Sequence, residues 1–244
     1  MGIEGLNVEA INSKVSRYWS VSVIEETTST QSDLVQQFES GKVLVAEYQS
    51  AGRGRLDRKF IVPPRKGLTF SFCIEATNDF GWIPLLTGLA VAQGINSYLN
   101  SDLVKIKWPN DLLIDEKKLG GILSEKSETG VIVGVGINIF QTQTELPIAS
   151  AISLINAATN KEIDRSELLS QILNRLGEVL ADLNKFKNQY REICSTIGEF
   201  VRVTLPTGEV IEDLAIGIST DGSLLLKSRE VTVGDTVHLR IMNK

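Results

Sequence analysis

Three strand-like runs occupy residues 104–114, 119–125 and 131–139, and the first two are joined by little more than Asp115-Glu116-Lys117. A connection that short reverses a chain into a hairpin but cannot carry the crossover that parallel neighbours need. This part of the sheet must be antiparallel, and a pure parallel, doubly wound fold is excluded. Upstream, residues 21–25 and 42–48 read as strands around a helix at 29–40, with hydroxyl residues to cap its start and Gly41 to end it. The opening is therefore β-α-β. The expected class is α+β, with a mixed, largely antiparallel sheet. Residues 67–75 add a strand and residues 83–99 a helix. Leu168, Leu169, Ile172, Leu176, Val179, Leu180 and Leu183 recur at helical spacing, which predicts one amphipathic helix over residues 165–190.

After Cys194 the pattern changes to short β runs punctuated by Pro206-Thr207-Gly208, Asp221-Gly222 and Gly234-Asp235. That is repeated hairpin chemistry, and it predicts a small barrel over residues 197–244 beside a larger domain over residues 1–196. A length of 244 residues suits one large domain with an appendage.

Composition removes several function classes. The one histidine, His238, would have to anchor any Ser-His-Asp triad or multi-histidine metal site alone, so both are set aside. A net charge of −5 argues against a general nucleic-acid coat. Cys73 and Cys194 lack CxxC spacing and read as buried thiols of a reducing compartment. Residues 1–19 are charged throughout and carry no secretory signal, and the longest apolar run, residues 82–92, falls well short of the roughly 20 residues that span a bilayer. The expected location is the cytoplasm, with no membrane partner.

Between the strands at 42–48 and 67–75 lies a long segment in which Gly52-Arg53-Gly54-Arg55 is followed by Arg58, Lys59, Arg65 and Lys66, six cations against the single anion Asp57. Arginine forks match phosphate or carboxylate, and glycine lets backbone approach a ligand. An anion-binding loop and a solvated basic loop both fit. Lys107-Trp108-Pro109-Asn110-Asp111 puts a proline where a strand centre would not tolerate one. It fits either a bulged strand presenting polar groups to a pocket or an edge strand with a capped turn. In Lys118-Leu119-Gly120-Gly121 and Gly134-Val135-Gly136-Ile137-Asn138 the glycines strip side chains from one patch of sheet, as close approach of a flat ligand or a bulge would require. Ser29, Thr30, Gln31 and Gln49 supply groups that both donate and accept, as a neutral heterocycle with urea-like edges demands; helix capping also accounts for Ser29 and Thr30.

In this order, Thr28-Ser29-Thr30-Gln31, Tyr48-Gln49-Ser50-Ala51-Gly52-Arg53-Gly54-Arg55, Lys107-Trp108-Pro109-Asn110-Asp111, Lys118-Leu119-Gly120-Gly121 and Gly134-Val135-Gly136-Ile137-Asn138 resemble the biotin protein ligase family over residues 20–155. The chain's ending resembles that family's SH3-like C-terminal domain. The resemblance implies a biotin/lipoate ligase catalytic fold and two half-reactions: biotin and ATP give biotinyl-5′-AMP and pyrophosphate, then a lysine of the biotin carboxyl carrier protein of acetyl-CoA carboxylase takes the biotinyl group. It implies Lys118 as the first catalytic residue and Arg55 as the second. Ser29, Thr30, Gln31, Gln49, Gly52, Arg53, Gly54, Arg55, Lys118, Gly120 and Gly121 would bind biotin. Arg53, Arg55, Arg58, Lys107, Asn110, Asp111 and Asn138 would bind the nucleotide, with Mg²⁺ on the polyphosphate and its protein ligands unassigned. The resemblance further implies a loop at 49–66 that folds over its ligand, and it leaves a homodimer open.

The loop departs from the family at Leu56-Asp57, where Arg-Gly is common, and the tryptophan that some members place over adenine is replaced near Ala151. A lipoate or octanoate ligase would share the fold but lack both the Gly-Arg-Gly-Arg loop and the terminal barrel. A repressor would need a DNA-binding domain of roughly 50 residues; about twenty precede the first strand, so no DNA partner is expected. A catalytically silent RNA-binding module would leave the Lys118-Gly120-Gly121 pattern without a purpose.

Overall fold

The computed structural model describes residues 2–55, 58–158 and 162–239. Asn7 caps a helix absent from the sequence reading, α1 (Val8–Lys14), by accepting from the Ala10 N–H; one apolar contact, Ile11, is too little periodicity to register. Strand β1 (Ser20–Thr27), helix α2 (Thr30–Gln36) and strand β2 (Lys42–Gln49) form the expected β-α-β unit, with β1 and β2 parallel. The helix is shorter than expected and ends at Gln36. Then come β3 (Gly67–Glu75), α3 (Trp82–Leu99), β4 (Lys105–Lys107), β5 (Asp111–Ile114), β6 (Lys117–Lys126) and β7 (Gly130–Asn138). The seven strands make one sheet in the order β1-β2-β3-β7-β6-β5-β4, antiparallel everywhere except β1/β2.

The run at 104–114 is two strands, not one. β4 and β5 pair antiparallel across Lys107↔Asp111, with Pro109 in the turn between them. Proline has no N–H for the ladder, so the chain reverses there and the edge strand stays short. After the single turn of α4 (Leu154–Ala157), the helix expected over 165–190 is likewise two: α5 (Arg165–Ala181) and α6 (Leu183–Ile193). Asp182 divides them because its carboxylate accepts from the Lys185 N–H at 3.1 Å and so starts a new helix.

Alternation along the strands gives the sheet two different faces. Val43, Val45, Leu68, Phe70, Phe72, Val133, Val135 and Ile137 join α3 and α5 in the main core. The opposite face has only a small apolar cluster, Leu34, Leu44, Cys73 and Ile132, where α2 covers it. Beyond α2 that face carries Gly121, Gly134 and Gly136, brought together because Gly121 pairs with Gly136 and Leu123 with Gly134.

The C-terminal strands β8 (Phe200–Thr204), β9 (Val210–Ile218), β10 (Leu224–Leu226), β11 (Glu230–Val231) and β12 (Asp235–His238) form an antiparallel sheet in the order β11-β10-β9-β8-β12. Among the described residues no pairing closes it, so the expected barrel is present as an open five-stranded sheet. Two indoles dock it: Trp82 Nε1 donates to the Thr220 carbonyl at 2.8 Å and Trp108 Nε1 to the Gly222 carbonyl at 3.1 Å. No helix among the described residues is long and apolar enough to cross a membrane.

Candidate functional site

On the glycine-bearing face lies a cavity of about 1140 Å³, bounded by the start of α2, the loop after β2, the β4–β5 turn, β6, β7 and β12. All the predicted site residues line it except Gly52. That glycine is buried beneath the loop, where a Cβ would lie 2.1 Å from the Phe60 carbonyl oxygen, so it serves the loop's own closure.

At one end Ser29 caps α2, accepting from the Ser32 N–H at 3.4 Å, so capping and cavity lining coincide in one residue. Gln49 Oε1 accepts from the Thr30 N–H at 2.8 Å and from the Thr30 hydroxyl at 3.1 Å, and Thr30 also contacts the Ser71 hydroxyl at 2.8 Å. Gln31 reaches across the sheet to the Leu123 and Ile132 carbonyls. This end is a neutral network of hydroxyls and amides, with its geometry held by backbone partners.

In the middle, Lys118 Nζ lies 2.5 Å from Asp111 Oδ1, while Lys107 Nζ is 3.4 Å from Asp111 Oδ2. Asp111 is thus a counter-ion that spaces two ammonium groups at the cavity wall. A Cβ at Gly121 would touch the Lys118 ammonium end at 3.5 Å, so Lys118 lies along the bare strip of sheet. At Gly120, by contrast, a Cβ would meet the Gly136 carbonyl oxygen at 2.3 Å. The neighbouring strand by itself therefore demands glycine at 120. The ring of Phe60 packs where a Gly136 side chain would be, 2.4 Å from its ideal Cβ.

The cationic segment divides. Arg65 pairs with Glu25 and Lys66 with Glu145, both away from the cavity; Lys66 and the Thr142 N–H and hydroxyl pull the Glu145 carboxyl down to about 2. Arg53, Arg55 and Arg58 line the cavity. Arg53 pairs with Glu125, and Arg58 with Asp235. Arg55 donates to Asn110 Oδ1 at 3.1 Å and to the Gly234 carbonyl at 3.3 Å. Burial pushes its guanidinium below its ordinary value, partly offset by Asp235 and Asp111. Leu56 and Asp57, where the loop departs from the resembling family, lie outside the described residues.

Asn110 and Asn138 act on the chain itself. Asn110 Nδ2 donates to the Ile122 carbonyl at 2.8 Å while its oxygen holds Arg55. Asn138, buried, donates to the Ile152 carbonyl at 3.1 Å and accepts from Gln141 at 2.8 Å. These bonds tether the segment that brings Pro147, Ile148 and Ala151 to the cavity rim.

Several lining residues were not among the predicted site residues: Phe60, Glu116, Pro147, Ile148, Asp235, Thr236 and His238, the last set aside as a lone histidine. Nothing in their local pattern marks them. His238 Nδ1 is 3.5 Å from Glu116 Oε2, but burial, with Lys107 nearby, lowers its pKa against the pull of Glu116 and Glu199. Among the described residues no three His, Cys, Asp or Glu side chains cluster to cage a metal ion.

One cavity thus brings a neutral hydroxyl-amide cluster together with the arginines of the loop. Residues 21–139 match the biotin/lipoate A/B protein ligase family. A biotin–[acetyl-CoA-carboxylase] ligase of Mycobacterium tuberculosis is 33% identical over 92% of this chain and 91% of its own length. A bifunctional ligase/repressor of Escherichia coli is 28% identical over 91% of this chain and 74% of its own. Among solved structures, the biotin protein ligase of Aquifex aeolicus in complex with biotin and ATP superposes with a TM-score of 0.80, at 31% identity, covering 91% of this chain and 99% of that one. The chain belongs to the biotin protein ligase family.

Proposed function

We propose that this protein is an ATP-dependent biotin protein ligase that activates biotin as biotinyl-5′-AMP and transfers it to a lysine of the biotin carboxyl carrier protein of acetyl-CoA carboxylase. The observation that carries this reading is Lys118 on the glycine strip, lining one cavity together with the hydroxyl-amide cluster of Ser29, Thr30, Gln31 and Gln49 and with the arginines of the loop.

In the first half-reaction a carboxylate oxygen of biotin attacks the α-phosphorus, the bond to the bridging oxygen breaks and pyrophosphate leaves. Two anions must approach, so fixed positive charge has to stand on the line of attack. Lys118 is assigned to screen that approach, and Arg55, preset by Asn110, to hold charge developing on the phosphate. Ser29, Thr30, Gln31 and Gln49 suit the ureido ring, and Arg53, Arg58 and Lys107 the polyphosphate. Mg²⁺ would arrive on the phosphates, consistent with an ion that is usually held by one or two carboxylates and its substrate. In the second half-reaction the lysine ε-amine attacks the acyl carbon, the acyl–phosphate C–O bond breaks, AMP departs and the amine loses a proton.

We further assign residues 1–196 as the catalytic domain and 197–244 as its C-terminal partner, with the loop at 49–66 excluding water from the acyl adenylate. Two free, buried cysteines support a reducing, cytoplasmic setting. Biotin-dependent ATP–pyrophosphate exchange tests the reading. Lys118→Ala should lower exchange by about a hundredfold or more, the usual cost of deleting a group that stabilises developing charge. Exchange retained in that variant would remove Lys118 from the chemistry, and none in the wild type would overturn the function.

A further inference from the structure

Asp235 is an anomaly in a cavity read as a polyphosphate site, because it sets a carboxylate against the cations that the phosphates would need. It stands at the start of β12, where it pairs in register with Thr204 of β8. That sheet is fixed to the body by the Trp82 and Trp108 indoles, which grip the carbonyls of Thr220 and Gly222. The carboxylate is therefore presented from a firm platform. Its side chain is 27% exposed, whereas its partner Arg58 is 62% exposed on the loop. The preceding residue acts on the same loop, since the Gly234 carbonyl accepts from Arg55 at 3.3 Å.

We propose that Asp235 is a positioning residue for the arginine loop and an internal competitor for nucleotide phosphate: it holds Arg58 across the cavity and yields it when the polyphosphate enters. This rests on the assignment of Arg58 to the nucleotide. Asp235 Oδ2 already occupies Arg58 Nη2, so a phosphate that takes the whole arginine fork has to displace it. The fraction of molecules in which Arg58 is engaged by Asp235 divides the apparent nucleotide affinity. A pair this exposed is worth little, which bounds the effect to about two- to fivefold.

The test is the KM for ATP in biotin-dependent pyrophosphate exchange, for wild type, Asp235→Asn, Asp235→Glu, Arg58→Ala and the double variant Arg58→Ala/Asp235→Asn, with biotin affinity measured separately by calorimetry. Asp235→Asn should lower the KM by about two- to fivefold. Asp235→Glu, which keeps the charge, should stay near wild type, and biotin affinity should not move. Arg58→Ala should raise the KM and abolish the response to Asp235→Asn. An unchanged or raised KM in Asp235→Asn, or a fall that persists without Arg58, overturns the competitor role while the nucleotide assignment of Arg58 stands. An unchanged KM in Arg58→Ala overturns that assignment and the proposal with it.

Discussion

Gly120 and Gly121 are adjacent in the chain and chemically identical, yet they answer to different neighbours. A methyl group on Gly120 would drive into the Gly136 backbone oxygen, which cannot rotate away, while one on Gly121 would make an ordinary contact with the flexible end of Lys118. Gly120→Ala is therefore expected to lower stability by about 1–3 kcal/mol, as a core position overfilled against rigid backbone does. Gly121→Ala should stay within about 0.5 kcal/mol of wild type. Urea unfolding of the two variants checks the difference, and equal midpoints would refute it. The sequence marked both residues as site glycines because side-chain loss is legible there; which neighbour requires the loss depends on the register of β6 against β7. Asp111 and Asn110 follow the same logic. Their residue types pointed to a polar pocket, but their partners, Lys107 and Lys118 for one and Arg55 and the Ile122 carbonyl for the other, follow from how the β4–β5 turn faces the loop.

Apolar periodicity runs unbroken across residues 165–190, and it conceals a helix break. Asp182 caps α6 through the Lys185 N–H, so Asp182→Ala should cost about 1 kcal/mol. Thermal unfolding measures this, and an unchanged midpoint would mean that α5 and α6 are held by packing alone. A cap acts on backbone conformation, which a hydrophobic pattern does not report. The 104–114 run shows the converse. Its pattern is uniform but Pro109 cannot join a ladder, so the break was legible in the one residue that removes a donor. That local reversal puts Lys107, Asn110 and Asp111 at the cavity and turns Trp108 toward the C-terminal sheet.

Across the whole molecule, a buried ion pair ties the chain's beginning to its middle. Arg165 Nη1 is 2.6 Å from Glu47 Oε2, both side chains are at most 3% exposed, and Arg165 also donates to the carbonyls of Glu4 and Gly67. Glu47→Gln would leave a buried guanidinium without its counter-charge, and a loss of about 3–5 kcal/mol is expected in urea unfolding. A loss below 1 kcal/mol would show that the carbonyl partners suffice. The C-terminal sheet is integrated in the same way, by two indoles at its back and by Asp235 and Gly234 toward the loop. The sequence by itself determined what is local: the antiparallel hairpin, the interruption of the strand at Pro109, the glycine strip, the concentration of arginines and, through their order, the family. The tertiary structure alone decided the pairings, because Glu47 meets Arg165 across 118 positions and Arg58 meets Asp235 across 177. Backbone propensity and periodicity act over a few residues; which charge neutralises which is set only when sheet register and packing bring distant segments within reach.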